Sequence, residues 1–298
     1  MAVWREKSED SEMSKPRYLL KQHTVSELFT VVYVLVDDYL KVGVQQGRFV
    51  LPESKQQKGS YAELMTIALV GDVLGKTAPS GPARLLNQAD VRLWFNLVKR
   101  EYCRLFPLLP DDTRYDRVLK NLERVWADLA LALTAHHAPL AYTVDSKPLP
   151  VCKFKRHRRP RAMTEATVGF GAQGPVYGFK LHALSTLDGQ IVKFAIVPAH
   201  EADVTVARAL LDEAEQGVTL GDKAYLGCGV YTPPKANALT PGIWTRLMDS
   251  ARKTIESVFS SLTRTKHLVF GQRNSFHSLR AHVCRKIAAH NFALVFAA

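Results

Sequence analysis

The chain changes its apolar periodicity once, near residue 139, and that change limits the folds open to it. Before it, apolar residues recur at helical spacing. Val25, Leu28, Phe29 and Val32, then Leu35, Val36 and Tyr39, trace one face of an amphipathic helix. A second helix is predicted from Ser60, an N-cap with Glu63 three residues on to close a capping box. It runs through Leu64, Ile67, Ala68 and Val70 toward Gly75, and the breaker-rich stretch 76–82 follows as a loop. A third helix covers about 91–105 and is broken by Pro107 and Pro110. Asp111-Asp112-Thr113 then caps a last helix, expected to end near residue 136. Residues 1–16 are polar, carry both signs, and read as a disordered leader.

After residue 139 the pattern is that of strands. Residues 141–145 read as a strand that Pro148 stops, and the basic, glycine-containing stretch 152–175 as loop. Residues 177–186 and 191–197 read as two strands joined at Asp188-Gly189, a hairpin signal. A helix over 203–215, a short strand over 218–221, a loop at Pro233-Pro234, a long helix over 241–265 and a helical C-terminus complete the order. Strand, hairpin, helix, strand, helix describes an α/β fold: a mixed sheet flanked by helices, here preceded by an all-helical N-terminal domain. The expected division is therefore 1–16 leader, 17–138 helical domain and 139–298 sheet-containing domain.

Charge narrows the function. The formal net charge is +12, and it is segregated. Six Lys or Arg and no acid lie between 153 and 161, and no Asp or Glu follows Glu256, while Arg264, Lys266, Arg273, Arg280, Arg285 and Lys286 accumulate. Charge that serves only solubility is mixed in sign; this distribution reads as a footprint for phosphates. The first twenty residues lack the apolar centre of a signal peptide, and no apolar run is long enough to cross a bilayer. A cytosolic protein, held at the nucleoid by DNA and without membrane contact, is expected. The four cysteines, Cys103, Cys152, Cys228 and Cys284, form no CxxC pair, which argues against a zinc site or a disulfide framework.

Three acids stand where phosphodiester chemistry would need them. Asp145 ends the first strand, in Thr143-Val144-Asp145-Ser146. Asp222 ends the fourth, in Gly221-Asp222-Lys223-Ala224-Tyr225. If those strands are parallel neighbours, both acids lie at carboxyl ends on one side of the sheet, where ligands collect. Glu256 flanks a helical stripe of Ile255, Val258, Phe259 and Leu262, with Arg252 one turn earlier. Carboxylates converging from separate elements are what hard divalent cations require. A chain with 28 acids yields such a triple in any order, so the local context carries the weight.

These segments resemble the catalytic motifs of bacterial insertion-sequence DDE transposases. Thr143-Val144-Asp145-Ser146 resembles their first-strand motif, Tyr177-Gly178-Phe179-Lys180-Leu181-His182 the second-strand segment, and Pro198-Ala199-His200-Glu201-Ala202-Asp203 the close of the third strand. Gly221-Asp222-Lys223-Ala224-Tyr225 resembles the second-acid motif, and Arg252, Lys253, Ile255, Glu256 and Phe259 the third-acid helix. The order and wording are nearest to the insertion-sequence 982 family. Asp249 and Thr263 depart from relatives that carry Tyr and Lys there, and the 33 residues between Asp222 and Glu256 leave no room for a large insertion domain.

The resemblance implies a ribonuclease-H-like fold in which Asp145, Asp222 and Glu256 hold two Mg²⁺ ions, with Mn²⁺ able to substitute. It implies cleavage at the terminal inverted repeats of an element and transfer of the freed 3′-hydroxyl to target DNA. Lys153, Lys155, Arg156, Arg158, Arg159, Arg161, Lys180, Lys223, Arg252, Lys253, Arg264 and Lys266 are the expected DNA contacts, with Lys147 and His182 in support. His182 reads equally as a packed core histidine, and Asp203 as the N-cap of its helix. The helix from about Arg114, bearing Arg117, Lys120 and Arg124, is the candidate for groove recognition, with a helical scaffold as the other reading. Leu93, Trp94 and Leu97 fit either a subunit contact, in a homodimer formed on DNA, or a core stripe. Two rivals stand beside the transposase: a ribonuclease-H-like nuclease that cuts without joining, and a DNA-binding protein with a dead core.

Overall fold

The computed structural model describes residues 24–53, 57–75, 91–134, 141–158, 163–171, 174–212, 217–234, 244–268 and 275–296. The leader at 1–16, the loop at 76–82, and the helix ends expected at 136, 215 and 241 lie outside these residues. Five helices come first: α1 (Val25–Gln45), α2 (Tyr61–Val73), α3 (Val91–Glu101), α4 (Asp112–Asn121) and α5 (Glu123–Ala132). Thr24 and Ser60 each close a capping box, with Glu27 and Glu63, and Gly75 ends α2 at φ +64°. Asp111 caps α4 as expected, but the predicted last helix is two. It breaks at Leu122, where no proline or glycine stands. Its cause is visible: the buried Trp126 indole donates to the Leu119 carbonyl at 3.2 Å, the acceptor that the Glu123 N–H would use in a continuous helix.

The sheet-containing part runs β1 (Ala141–Pro150), β2 (Thr167–Gly171), β3 (Gly174–Thr186), β4 (Ile191–Pro198), α6 (Asp203–Asp212), β5 (Val218–Leu220), α7 (Arg246–Arg264) and α8 (Phe276–Val295). β3 pairs antiparallel with β1 along one edge. Along its other edge it pairs with β2 and then β4, and β1 pairs parallel with β5. The hairpin at Asp188-Gly189 is present, with Gly189 at φ +85°. Two expectations are corrected. Pro148 does not stop β1, because β5 pairs only with Ala141–Thr143; beyond that β1 has a neighbour on one side only, and a residue without N–H fits the open edge. The stretch 152–175 is not all loop: it contains β2 and a 3-10 turn at Phe154–Arg156. β2 is rich in glycine because it lies tightly against the chain beside it; a Cβ at Gly169 would run into the Ala199 carbonyl.

The helix α8 joins the two parts. One apolar cluster extends from α1–α5 through Phe179, Leu181 and Ile191 of the sheet to Ile255 and Leu262 of α7 and Val283 and Ile287 of α8, so the core is continuous across residue 138. Several polar residues that α8 buries have distant partners. Asp72 of α2, fully buried, accepts Arg285 Nε and Lys286 Nζ, both at 2.7 Å. Asn291 accepts the Ile191 N–H and donates to the carbonyls of Ala130 and Ile191, and His290 contacts the Gly189 carbonyl. Near the start of α8, Arg280 and His277 meet Glu123. Part of the acid-free C-terminal charge is therefore spent inside the protein: Arg285 and Lys286 are buried on Asp72.

Removing one member of such a buried set leaves uncompensated charge. Asp72→Asn is expected to lower the unfolding free energy by about 3–5 kcal/mol. Asp37→Asn, which removes the exposed Lys41–Asp37 pair, is expected to cost under about 0.5 kcal/mol. Urea midpoints at unchanged m-value measure both; equal effects would remove Asp72 from its central place.

Candidate active site

The parallel pair β1–β5 sets two of the acids side by side. Thr143 is in register with Leu220, and Asp145 and Asp222 each follow two residues later. β5 ends at Leu220 and is followed by Gly221, where a Cβ would crowd the side chains of Val230, Tyr225 and Val144. Asp222 then caps the short turn Lys223–Tyr225, its Oδ1 accepting the Ala224 N–H at 2.8 Å. The third acid comes from α7, which packs against β1 and β5. Ile255, Val258, Phe259 and Leu262 bury the inner stripe, and Glu256 emerges beside it. Arg252, one turn earlier, donates to Glu256 Oε1 at 2.8 Å.

Electrostatics place the three carboxylates within each other's field. Asp145 is raised from the usual carboxylate range to about 6. Burial is the largest cause. The Ser146 N–H, which donates to Asp145 Oδ1 at 2.7 Å, opposes it, the negative charges of Asp222 and Glu256 add to it, and Arg252 offsets them in part. Among the described residues, no three His, Cys, Asp or Glu side chains are gathered closely enough to hold an ion; each acid instead uses a local donor. The donor chemistry nevertheless fits a hard divalent cation: three carboxylates from separate elements, one of them buried and held against like charge, which a cation would relieve.

A second polar group lies behind Asp145. Asp203, the first residue of α6, accepts Lys180 Nζ at 2.8 Å and Ser146 Oγ at 3.4 Å. His182 lies on β3 opposite Ser146, fully buried, with Nε2 3.7 Å from Asp203 Oδ1 and neither ring nitrogen hydrogen-bonded. Burial lowers His182 to about 4, so it is neutral at pH 7. The Tyr225 hydroxyl is buried in the field of Asp145, Asp203 and Asp222; burial first and these charges next push its ionisation far up. Sequence reading took Asp203 only as a helix cap and passed over Tyr225. The alternation that puts Lys180 and His182 on one face of β3 was a usable signal for the first, whereas the crossing of α6 over β1 was not.

The expected DNA contacts divide. Lys153, Lys155, Arg156 and Arg158 are exposed on the segment after β1, and Lys223, Lys253 and Arg264 are exposed as well. Lys253 pairs with Asp249, and Arg252 with Glu256 and Asp249. Lys147, two residues beyond Asp145 on β1, is half-buried, and burial lowers it. Lys180 is committed to Asp203 and the Glu201 carbonyl. Lys266 is buried, donates to the Val73 carbonyl at 3.0 Å, and is lowered to about 8 by desolvation; it presents no charge to a ligand, contrary to expectation. Arg159 and Arg161 lie outside the described residues. In the helical part, Arg117 and Arg124 are exposed, while Lys120 pairs with Asp116. Trp94 is a core residue, its indole donating to the Ile67 carbonyl at 2.7 Å, while Leu93 and Leu97 on the same helix are exposed.

Residues 137–269, a little under half of the chain, match the family model described as "Transposase DDE domain". That segment holds Asp145, Asp222 and Glu256. It supports a DDE transposase family. No curated protein and no solved structure matches the chain. Among the described residues no helix is long and apolar enough to cross a membrane.

The raised Asp145 carries a stability signature. Its folded value lies above its unfolded one, so the folded state binds the extra proton between about pH 4 and 6 and loses stability as pH rises through that window. Asp145→Asn is expected to stabilise the metal-free protein by up to about 3 kcal/mol at pH 7.5, and by little at pH 4. Divalent cation should raise the melting temperature of the parent protein and not of this variant. Equal stability of the two proteins at pH 7.5 would mean that Asp145 is not held against its neighbours' charge.

Proposed function

We propose that the chain is an insertion-sequence transposase that binds the terminal inverted repeats of its element, cuts the ends and joins them to target DNA. The observation that carries this reading is the placement of Asp145, Asp222 and Glu256: two on adjacent parallel strands, one on the helix packed over them, with mutual charge repulsion at Asp145, all inside the matched segment. The strand order β4-β3-β1-β5, with β3 antiparallel and β5 parallel to β1, supports a ribonuclease-H-like core of the kind expected, and the motif order supports the insertion-sequence 982 family.

Two Mg²⁺ ions, or Mn²⁺ in their place, would be held by Asp145, Asp222 and Glu256, and would supply charge stabilisation at the attacked phosphate. The chain's own residues supply position. The Ser146 N–H fixes one oxygen of Asp145, the Ala224 N–H one of Asp222, and Arg252 one of Glu256. Water opens the phosphodiester at the element's end and leaves a 3′-hydroxyl. That hydroxyl attacks a target phosphodiester, forming one P–O bond as another breaks, so no oxidant, cofactor turnover or covalent protein intermediate is required. Lys153, Lys155, Arg156 and Arg158 follow the flanking phosphates. A homodimer on DNA holds two ends together, and the N-terminal helices, α4 among them, are the part proposed to recognise the repeats.

The test is cleavage and joining of the element's own ends with divalent metal. Asp145→Ala, Asp222→Ala and Glu256→Ala are each expected to abolish cutting while changing end binding by less than about threefold. Charge reversal at Arg156 and Arg158 should weaken binding to all sequences alike and flatten its salt dependence, since phosphate contacts position rather than specify. Wild-type cutting by any one alanine variant removes that acid from the site; cut ends that are never joined reduce the protein to a nuclease.

A further inference from the structure

The hairpin β2–β3 continues the sheet past the end of β1, and the outer part of one of its faces, at Val168 and Phe170, is exposed. The two strands pair Val168 with Tyr177 and Phe170 with Pro175. Those four residues share a face, because directly opposed residues point to the same side. The other face is closed: Gly169 is buried against Ala199, and Gly171 lies against Pro148. On the open face Phe170 is 78% exposed and Val168 40% exposed. A phenylalanine this bare on an edge strand has no folding role to explain it.

What lies at its root is basic and aromatic. Tyr177 faces His157, and His157 stacks on Phe154 at 4.5 Å. The turn that carries these two rings displays Lys153, Lys155, Arg156 and Arg158 to solvent. Between Ser146 and Leu187 the sequence contains a single acid, Glu165. An uncovered apolar tip above a cationic root is complementary to DNA: phosphates for the root, base faces for the ring. Protein grooves for a second copy of so positive a chain would have to overcome like charge.

We propose that the β2–β3 ribbon is a DNA-gripping arm that inserts Phe170 between base pairs of the duplex flanking the cut, and this rests on the transposase reading above. A two-stranded ribbon fits a DNA groove, and Phe is among the side chains that wedge into a base step and kink the helix. Register gives the position. Asp145 is opposite Ala183, and Phe170 is opposite Pro175, eight residues away along β3. That is roughly 26 Å at ~3.3 Å per residue, or about seven to eight base pairs at ~3.4 Å per step. The segment that carries the four cations leaves β1 at Pro150, opposite Gly178, a register position between those two.

The test uses the full chain without divalent metal, so that cutting plays no part, and two short duplexes, one fully paired and one with a central mismatch. A mismatched step is already partly unstacked, so a wedge enters it at lower cost. The parent protein is expected to bind the mismatched duplex about tenfold more tightly. Phe170→Ala should lose that preference, with the larger fall in affinity on the mismatched duplex; Phe170→Trp should keep the preference, with its emission quenched on binding. The mutated side chain is exposed, so the variants should fold. Mismatch preference that survives in Phe170→Ala overturns the proposal. So does a fall from dimer to monomer in light scattering with the preference unchanged, which would make the patch a subunit contact. Salt-dependent binding without any mismatch preference in the parent overturns the wedge alone. Failure of the parent to bind either duplex overturns the transposase reading as well.

Discussion

The burial of α8 is the constraint on which the rest of the structure depends. This helix runs through the junction between the N-terminal helices and the sheet and is buried over most of its length. A helix in that position is normally apolar all round. This one carries His282, Arg285, Lys286, His290 and Asn291 into the interior, so its position is fixed by partners and not by packing alone. Asp72 neutralises one charge of the adjacent Arg285–Lys286 pair, and Asn291 takes up the free N–H and C=O of Ile191, the first residue of β4. Any slip of α8 by one turn would leave two buried cations and a strand end unpaired. The sheet that carries the acids is thereby locked to the helices proposed to recognise DNA.

The same logic explains the setting in which β1 places Asp145. Tyr142 and Thr143 are flanked by both β3 and β5; from Val144 onward it keeps β3 alone. Asp145 sits just past the point where the sheet loses a neighbour, which leaves room for its side chain and for Asp222 beyond the end of β5. α7 then brings Glu256 over that gap on an apolar stripe. A sheet fully paired along β1 would bury Asp145 without access, and a shorter β1 would not carry the basic turn after Pro150.

Sequence reading reached the hairpin and the capped helix starts because each rests on local chemistry: Gly189 in a tight turn, Ser60 with Glu63, Asp111 at the head of α4. It failed where distant chain decides. Pro148 is tolerated because β5 is short, and the length of β5 is not written near Pro148. The break at Leu122 comes from an indole taking a carbonyl within the same helix pair. β2 reads as loop because its glycines serve close contact with Ala199, not flexibility. Lys266, Arg285 and Lys286 look like a phosphate footprint, but Asp72 and the Val73 carbonyl, some two hundred residues earlier, claim them. Charge segregation along the sequence thus overstates charge segregation on the surface.

With those cations taken inside, a positive surface remains on the segment that leaves β1, at Lys153, Lys155, Arg156 and Arg158. That geometry separates two tasks on one strand. The first half of β1 is braced: Thr143 bonds Ser185 across the sheet at 2.8 Å, and Ser146 reaches Asp203, which Lys180 anchors. Its carboxylate at 145 is held against the charges of Asp222 and Glu256 at a cost in stability, while the brace prevents the strand from relaxing away from them. A rigid frame around repelling acids is the preorganisation that the proposed metal chemistry requires. The second half of β1 has no such brace on its outer edge and passes directly into the exposed cations of 153–158. Rigid where charge must be concentrated and open where a polyanion must lie, β1 relates the placement of the acids to the approach of DNA through one continuous element.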